Sequence, residues 1–329
     1  MTPSRSGAAL VGALALVWGS NFLWIKVALD GLSPVQLTFL RMLAGALVLA
    51  VIVRTRAERL PTDRRFLGQI TIAALVGNAI PYLLFAIGEQ TVDSALAGVL
   101  NATTPLWTVV IAVAVGQEPH PTRTRLVGLI VGFAGAVLIF EPWRLDAGSN
   151  DLGGQLACLA AAASYGVSFV YIARYLAPRR QSPFALAYGQ TLAATILLAP
   201  ALLVAGRQDV NVDGSVLGAM AMLGFVGTGL AYVLNYAIIT REGATTASTV
   251  IYLLPVVAVA LGAAVLDEPI TAGMIIGTIV VLSGVTLARR SRPDVKAIRR
   301  GHDQPVPSGG EPAAAPGSPG SGCGDRLGS

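Results

Sequence analysis

The chain has 329 residues, of which 54% are hydrophobic and 12% charged, with a formal net charge of +5 at pH 7. Soluble domains carry about 25% charged residues, so this composition excludes an ordinary soluble domain and predicts an all-α integral membrane protein. Two cysteines, Cys158 in an apolar run and Cys323 near the C-terminus, do not suggest a disulfide framework or a thiolate metal site.

Ten apolar runs, most of them close to the roughly 20 residues that cross a bilayer core, predict ten transmembrane helices. In chain order they cover residues 7–29, 34–53, 66–88, 94–116, 126–140, 152–176, 184–205, 215–240, 244–266 and 271–288. The first run contains Lys26 and is too long for a signal peptide, so we interpret it as a span. After these runs the chain becomes rich in Arg and then in Gly, Pro and Ser, which predicts a disordered tail.

Part of the chain is present twice. Residues 77–119 align without a gap with residues 227–269, so that Tyr82 falls on Tyr232 and Pro105 on Pro255. A repeat with a period of about 150 residues indicates that the chain was built from two copies of one unit. We therefore predict a five-helix repeat at 1–146, a second at 147–289 and a disordered cytoplasmic tail at 290–329. Because five is odd, the second repeat is inverted in the membrane.

Basic residues lie almost entirely on one side of this predicted topology. With the N-terminus inside, the inner segments carry clusters of arginine, such as the one at 54–65, whereas the outer loops carry only Arg144 and Arg207. Cytoplasmic loops are enriched in Lys and Arg, so both termini are predicted to be cytoplasmic in a multi-pass protein of the cell membrane, plasma or inner. The positive charge is therefore a topology signal in a lipid bilayer, and no nucleic-acid partner is expected.

Two pairs of repeated residues have both a structural and a functional interpretation. Glu118 and Glu268 each precede a proline that opens a helix, where the helix dipole stabilises a carboxylate. We predict that both are structural caps, with an ion-sensing role as the alternative. Pro105 and Pro255 lie near the middle of predicted spans, where a proline frees a carbonyl and bends the helix. They are candidate hinges beside the binding region, or they reflect the packing of a bent helix.

Two basic residues fall inside predicted spans. Lys26 lies about one turn from the outer end of its span, where a lysine can extend to the interface. Arg41 lies deeper, and a guanidinium at that depth must face the interior of the bundle. It either pairs structurally with Glu89 or with span carbonyls, or it binds an anionic group of the substrate. Glu89 is also the acidic candidate for proton coupling, or else a loop residue beside Asp93.

Polar and aromatic side chains at mid-depth complete a candidate substrate cavity. For any single one of them, a hydrogen bond between helices is the usual explanation. Together they form a mainly apolar and aromatic wall with a few amides, which suits a small amphipathic molecule. The candidates are Trp18, Asn21, Arg41, Asn78, Tyr82, Asn101, Trp107, Tyr165, Tyr232, Asn235 and Tyr252, with Ser164 and Thr228 beside them.

Glycines recur on one face of the fifth predicted span of each repeat. They are Gly128, Gly132 and Gly135 in the first repeat, with Gly277 and Gly284 in the second. Small residues at this spacing allow two membrane helices to approach closely. We expect close helix contacts at these positions, and a homodimer through the same spans remains open.

Several short motifs recur in a characteristic order along residues 7–288. They are Trp18-Gly19-Ser20-Asn21-Phe22 with Lys26, Ser33-Pro34 followed by Leu40-Arg41, the two mid-span prolines and the two Glu-Pro pairs. Together they resemble the EamA-type proteins of the drug/metabolite transporter (DMT) superfamily. The resemblance implies transport of small molecules by alternating access, often export of amino acids, metabolites or drugs. The second repeat departs from the first, with Gln190 in place of Arg41, so recognition by charge would be one-sided.

Catalysis has little support in the sequence. His120 and His302 are the only histidines, and there is no metal signature, nucleophile elbow or phosphate-binding loop. We expect no catalytic residue, metal or cofactor, and we predict a transporter that exports a small organic metabolite or drug-like solute. The alternative is a non-transporting membrane sensor or assembly module that keeps the transporter fold. A polar, accessible central cavity would favour transport, and a sealed core would favour the alternative.

Overall fold

The computed structural model describes residues 5–117, 122–140, 150–205, 210–242 and 250–290. All of them belong to one compact unit, residues 1–291, and the predicted tail beyond residue 290 lies outside the described residues. Within the described ranges the regular secondary structure is helical, without a strand. This agrees with the all-α class expected from the apolar runs.

The first predicted repeat begins with helices α1 (Arg5–Gly19) and α2 (Asn21–Ala28), which together form one candidate span. Next come α3 (Pro34–Thr55), then α4 (Arg64–Ala74) and α5 (Ile80–Gly88), joined by a π-helical segment. We call this segment, Leu75–Ala79, the first π segment. Helices α6 (Ser94–Asn101), α7 (Thr104–Ala114) and α8 (Arg123–Phe140) complete the set.

The second predicted repeat begins with α9 (Asn150–Tyr171), which continues as a π-helical turn and a 3₁₀ turn to Arg179. It is followed by α10 (Pro183–Ala205) and α11 (Gly214–Ala221). The second π segment, Met222–Leu230, leads into α12 (Ala231–Glu242). Helices α13 (Val250–Val265) and α14 (Ala272–Arg290) end the described chain.

Seven described helices are long and apolar enough to cross a membrane. They are Ser6–Ala28, Pro34–Thr55, Arg64–Gly88, Ser94–Ala114, Leu152–Arg179, Pro183–Leu203 and Gly214–Arg241. Val250–Val265 and Ala272–Ala288 are shorter apolar helices. The predicted ninth span extends into residues 244–249, which lie outside the described residues, so the number of ten spans stays a prediction.

Polar caps start several of these helices where the apolar runs begin. The Ser33 hydroxyl accepts from the Gln36 amide at 3.3 Å, and the Gln36 side chain accepts from the Ser33 amide at 2.9 Å. This capping box, with Pro34 in the first turn, starts α3. Asp63 caps α4 by accepting from the Phe66 amide at 2.9 Å. The caps satisfy backbone N–H groups that have no partner within the helix.

Helices α8 and α14 pack against each other through the predicted glycines. A Cβ atom at Gly128 would lie 2.5 Å from the backbone nitrogen of Ala288, and one at Gly135 would lie 2.6 Å from that of Val281. As the residue number rises along α8 it falls along α14, so the two helices run antiparallel. The contact brings Gly128 and Gly135 against Gly284 and Gly277 of the same chain. The glycines that suggested a possible homodimer are therefore buried between two helices of the same chain. The homodimer itself stays a prediction.

One close contact occurs twice, at corresponding positions of the two sequence repeats. A Cβ atom at Gly19 would lie 2.6 Å from Val257 Cβ, and one at Gly166 would lie 2.9 Å from Trp107 Cβ. Gly19 aligns with Gly166, and Trp107 aligns with Val257. Each half of the chain therefore makes the same contact with the other half, as two units related by an approximate two-fold axis would.

Candidate functional site

Arg41 lies at the centre of the group of residues that the structure brings together. Its side chain is 2% exposed, and its guanidinium carbon lies 4.3 Å from the centre of the Tyr82 ring. Its Nε donates to the Thr228 hydroxyl in a long hydrogen bond of 3.5 Å. The expected pairing with Glu89 is wrong, because both Glu89 carboxyl oxygens lack a hydrogen-bond partner. Within the described residues, Arg41 is held by a ring face and a hydroxyl rather than by a carboxylate.

Aromatic rings surround this arginine. Tyr82 meets Tyr165 edge to face with ring centres 6.1 Å apart, and Tyr165 lies 6.2 Å from Phe85. Phe85 in turn meets Phe22 edge to face at 5.4 Å. Tyr232 lies near Arg41 and Tyr82 from the opposite repeat. This group thus combines a guanidinium with a largely aromatic wall, and its role as a substrate cavity stays a prediction.

The two π segments place a polar residue of each repeat at this site. Asn78 lies in the first π segment, and Thr228 lies at the corresponding position of the second. In the π segments, backbone carbonyls accept hydrogen bonds from side chains. Ser164 donates to the Val76 carbonyl at 2.7 Å, and Thr228 donates to the Leu223 carbonyl at 3.0 Å. Such π turns occur frequently at functional sites. The apolar periodicity did not predict them.

Each π segment also faces a residue from the other repeat. Gly227 packs against the Asn21 side chain, and Gly77 packs against the Ser168 side chain at the corresponding position. The amide oxygens of Asn21 and Asn78 are buried and accept no hydrogen bond from the described residues. A buried acceptor without a partner is costly, so these two oxygens are available to a ligand donor or to water.

The remaining cavity candidates lie in other surroundings. Trp107 packs edge to face on Phe133 at 5.1 Å, and the Asn101 side chain accepts from Thr104 at 3.3 Å. Trp18 packs against the hydrophobic cluster of α1, α12 and α13, Tyr252 packs against the main core, and Asn235 is half-buried. The structure thus brings together Asn21, Arg41, Asn78, Tyr82, Tyr165 and Tyr232, whereas Trp18, Asn101, Trp107 and Tyr252 contact other parts of the bundle.

The two candidate hinges differ in their setting. Pro105 lies in the first turn of α7, after α6 has ended at Asn101, so the fourth candidate span is interrupted there. Pro255 lies inside α13. The interruption before Pro105 leaves Thr103 free to donate to the Leu100 carbonyl at 2.7 Å. The hinge role of both prolines stays a prediction.

The acidic and basic residues near the turn between α5 and α6 act on helix ends. The Glu268 carboxylate accepts from the Ser94 and Ala95 amides at 2.7 and 2.9 Å, and from the Ser94 hydroxyl at 3.0 Å. It therefore caps α6, and not the helix opened by Pro269 as we expected from the sequence. The two positions are 174 residues apart, so sequence proximity could not identify the capped helix. Glu118, the other predicted cap, lies outside the described residues.

Lys26 is also bound within the bundle rather than extended to the interface. Its amine donates to the backbone carbonyls of Glu89 and Val92, both at 2.8 Å. A cation is stabilised at the C-terminal end of a helix by the helix dipole, and α5 ends at Gly88. Lys26 and Glu268 thus hold the same turn through opposite charges.

Arginines line a cleft of about 320 Å³ between the start of α4 and the end of α9. Its lining residues are Arg65, Gln69, Arg174, Tyr175, Pro178 and Arg179. Arg179 pairs with Asp63 at 3.1 Å. The Phe66 amide and the Arg179 guanidinium hold the pKa of Asp63 below its ordinary value. None of the predicted cavity residues lines this cleft, and in the described ranges no three His, Cys, Asp or Glu side chains form a group that could hold a metal ion.

Comparison with known proteins finds similarity to one family of transporters. The model of the EamA-like transporter family matches residues 5–141 and, separately, residues 152–290. The chain is 28% identical over 273 residues to the uncharacterized transporter YdfC of Bacillus subtilis, covering 82% of this chain and 86% of YdfC. It is also 28% identical over 260 residues to the uncharacterized inner membrane transporter YedA of Escherichia coli K12, covering 76% and 79% of the two chains. A crystal structure with 20% sequence identity matches with a TM-score of 0.61 over 88% of this chain and 100% of its own, which shows a shared fold.

Proposed function

Because the chain belongs to the EamA-like transporter family, a family of multi-pass membrane proteins, we propose that it exports a small organic solute across the cell membrane by alternating access. The observation that carries this proposal is the setting of Arg41. A buried guanidinium lies over one tyrosine ring, hydrogen-bonds only weakly to Thr228 and has no carboxylate partner among the described residues. An ionisable residue inside a membrane bundle is a functional-site hypothesis by default.

The proposed architecture is ten helices in two inverted repeats, 1–146 and 147–289. Two findings support it. The family model matches once in each half, and α8 runs antiparallel to α14, its counterpart in the second repeat. In transporters built from inverted repeats, one bundle rocks against the other around a fixed central site. The backbone departs from regular α-helix at the two π segments and at the interruption before Pro105, among other places, and we propose that these three bend during this motion.

The proposed substrate is an amphipathic molecule with an anionic group, such as a carboxylate, on an apolar or aromatic body. The planar guanidinium of Arg41 matches a carboxylate with two parallel hydrogen bonds, and it can stay stacked on Tyr82 while it does so. The aromatic wall would cover the apolar body. The buried oxygens of Asn21 and Asn78 would accept hydrogen bonds from polar donors of the same molecule.

An efflux assay with a panel of compounds tests the proposal. Cells that express the protein and cells from which its gene is deleted are loaded with amphipathic carboxylates, with their neutral amides and with amines of similar size. We expect expressing cells to retain less of at least one carboxylate, with little effect on its neutral amide. Arg41→Gln should abolish the difference. Arg54→Gln, which alters an exposed arginine of the same helix, should leave it unchanged.

Two outcomes would contradict parts of this proposal. If no compound differs between expressing and deleted cells, the non-transporting sensor or assembly module becomes the better account. If transport occurs but Arg41→Gln changes only the melting temperature of the purified protein and not its substrate affinity, Arg41 is structural and the anionic substrate class is wrong. Arg41→Lys adds a third measurement, because a point charge should restore binding only in part.

A further inference from the structure

The turn between α5 and α6 is held from both sides by charged residues of other segments. Lys26, on α2, donates to the carbonyl of Glu89, the residue that caps the end of α5, and to that of Val92 within the turn. Glu268, just before α14, accepts three hydrogen bonds at the start of α6. Both charges match the dipoles of the helix ends that they bind. The turn is therefore a fixed point whose release would free the ends of two helices together.

Glu89 lies in this turn with its side chain completely buried. Its exposed fraction is 0%, and neither carboxyl oxygen has a hydrogen-bond partner. The charged groups that act on it are Lys26 from α2, Arg41 from α3 and Glu268 from the segment before α14. The thiol of Cys158, on α9, is its other titratable neighbour. In the part of the chain that the structure describes, nothing compensates a negative charge by direct contact.

Both cations near Glu89 are already engaged. Lys26 is bound to two carbonyls, and Arg41 lies over Tyr82 and bonds to Thr228. Glu268 carries the same charge as an ionised Glu89 and would repel it. An ionised carboxylate here would lose its hydration without hydrogen bonds in return, so the neutral acid is the stable form in this conformation. A purely structural side chain at this position would gain by being apolar or hydrogen-bonded.

We propose that Glu89 is a proton-binding site and that, given the transport function proposed above, it couples solute movement to proton movement. When the proton leaves for water, a carboxylate remains beside Lys26, whose amine already contacts the Glu89 backbone. The carboxylate then competes with the carbonyls of Glu89 and Val92 for that amine. The Lys26 amine then exchanges neutral acceptors for an ionised one, which is the stronger partner. Loss of the proton thus breaks the hydrogen bonds by which Lys26 holds the end of α5.

Infrared spectroscopy of the purified protein tests the proton site without a known substrate. A protonated carboxyl group has a C=O stretching band that an ionised carboxylate lacks. We expect the wild-type protein in detergent to show this band at neutral pH and Glu89→Gln to lack it. Asp30→Asn, which alters an exposed carboxylate, should retain it. If the band persists in Glu89→Gln, Glu89 is not the protonated group. Glu89→Gln keeps the size and neutrality of the acid, and its thermal melt checks that it is folded.

Transport by reconstituted protein tests the coupling, with a carboxylate identified in the efflux panel as the probe. In vesicles with an imposed pH gradient, wild-type protein should concentrate the probe. Glu89→Gln should only equilibrate it. If wild-type protein moves the probe equally with and without the gradient, coupling fails while transport stands. If Glu89→Gln still concentrates the probe, another group carries the proton.

Discussion

The close contact between α8 and α14 predicts that Gly135→Ala lowers the stability of the protein. A Cβ atom at this position would lie 2.6 Å from the backbone nitrogen of Val281 and 2.9 Å from the backbone oxygen of Gly277. Neither atom can move by a change of rotamer, so one helix must shift. Overpacking of this kind costs about 1–3 kcal/mol. Ala gains roughly 0.5–1 kcal/mol over Gly within a helix, which leaves a net loss of about 0–2.5 kcal/mol, centred a little above about 1 kcal/mol.

Gly68→Ala is the matched control. Gly68 lies within α4, and a Cβ atom there would meet nothing within 4 Å. The control should therefore keep the helix gain of about 0.5–1 kcal/mol without any clash. Thermal melts of the two purified variants in one detergent, beside the wild type, should move in opposite directions. Equal melting temperatures for both variants would show that the two helices are not in close contact.

The same experiment separates an internal contact from a dimer contact. If Gly135 lay in a dimer interface instead, the variant would elute at lower mass in size-exclusion chromatography. The melting temperature of each protomer would then change little. A lowered melting temperature at unchanged mass is the result expected from the structure, because α8 and α14 cover each other within one chain.

The helix caps and the arginine distribution can be tested directly. Glu268→Ala removes a charged acceptor of three hydrogen bonds and should destabilise the protein by about 1.5–3 kcal/mol. Glu268→Gln should destabilise it by less. Unchanged melting temperatures for both variants would contradict the capping role of Glu268. Because the pKa of Asp63 is lowered in the folded protein, the ionised carboxylate stabilises the fold at neutral pH, and this stabilisation is lost as pH falls through that pKa. The difference in melting temperature between wild type and Asp63→Ala should therefore disappear in acid. A cysteine replacing Leu60, in a background without Cys158 and Cys323, should resist a membrane-impermeant thiol reagent in intact cells, and labelling from outside would reverse the predicted topology.

The sequence predicted the helices better than their contacts. Apolar length and polar caps locate spans because both are local, and α3 starts at the Ser33-Pro34 motif for that reason. The glycine pairs of α8 and α14 were recognised as close contacts, but glycine spacing does not say whether the partner helix belongs to the same chain. The family resemblance is confirmed by the two matches of the family model.

What the sequence could not predict depends on distant residues or on departures from helix periodicity. The π segments leave no apolar pattern, although the repeated glycines Gly77 and Gly227 mark both of them. The partners of Arg41 come from α5 and from the second π segment, so only the packed bundle shows that Glu89 is not one of them. The burial of Glu89 was hidden for a similar reason, since a residue beside Asp93 at the end of an apolar run is equally typical of a solvated loop.

Several packing contacts of this protein occur in both repeats, whereas the charges of Lys26, Arg41 and Glu89 occur in only one. The contacts of Gly19 and Gly166 repeat each other, and so do those of Gly77 and Gly227. In contrast, the three ionisable residues Lys26, Arg41 and Glu89 align with Ala173, Gln190 and Ile239. Two identical inverted repeats would make the inward-open and outward-open states equal in energy. Under the architecture and coupling proposed here, ionisable residues present in only one repeat would make these two states unequal, and the proton on Glu89 would determine which state is favoured.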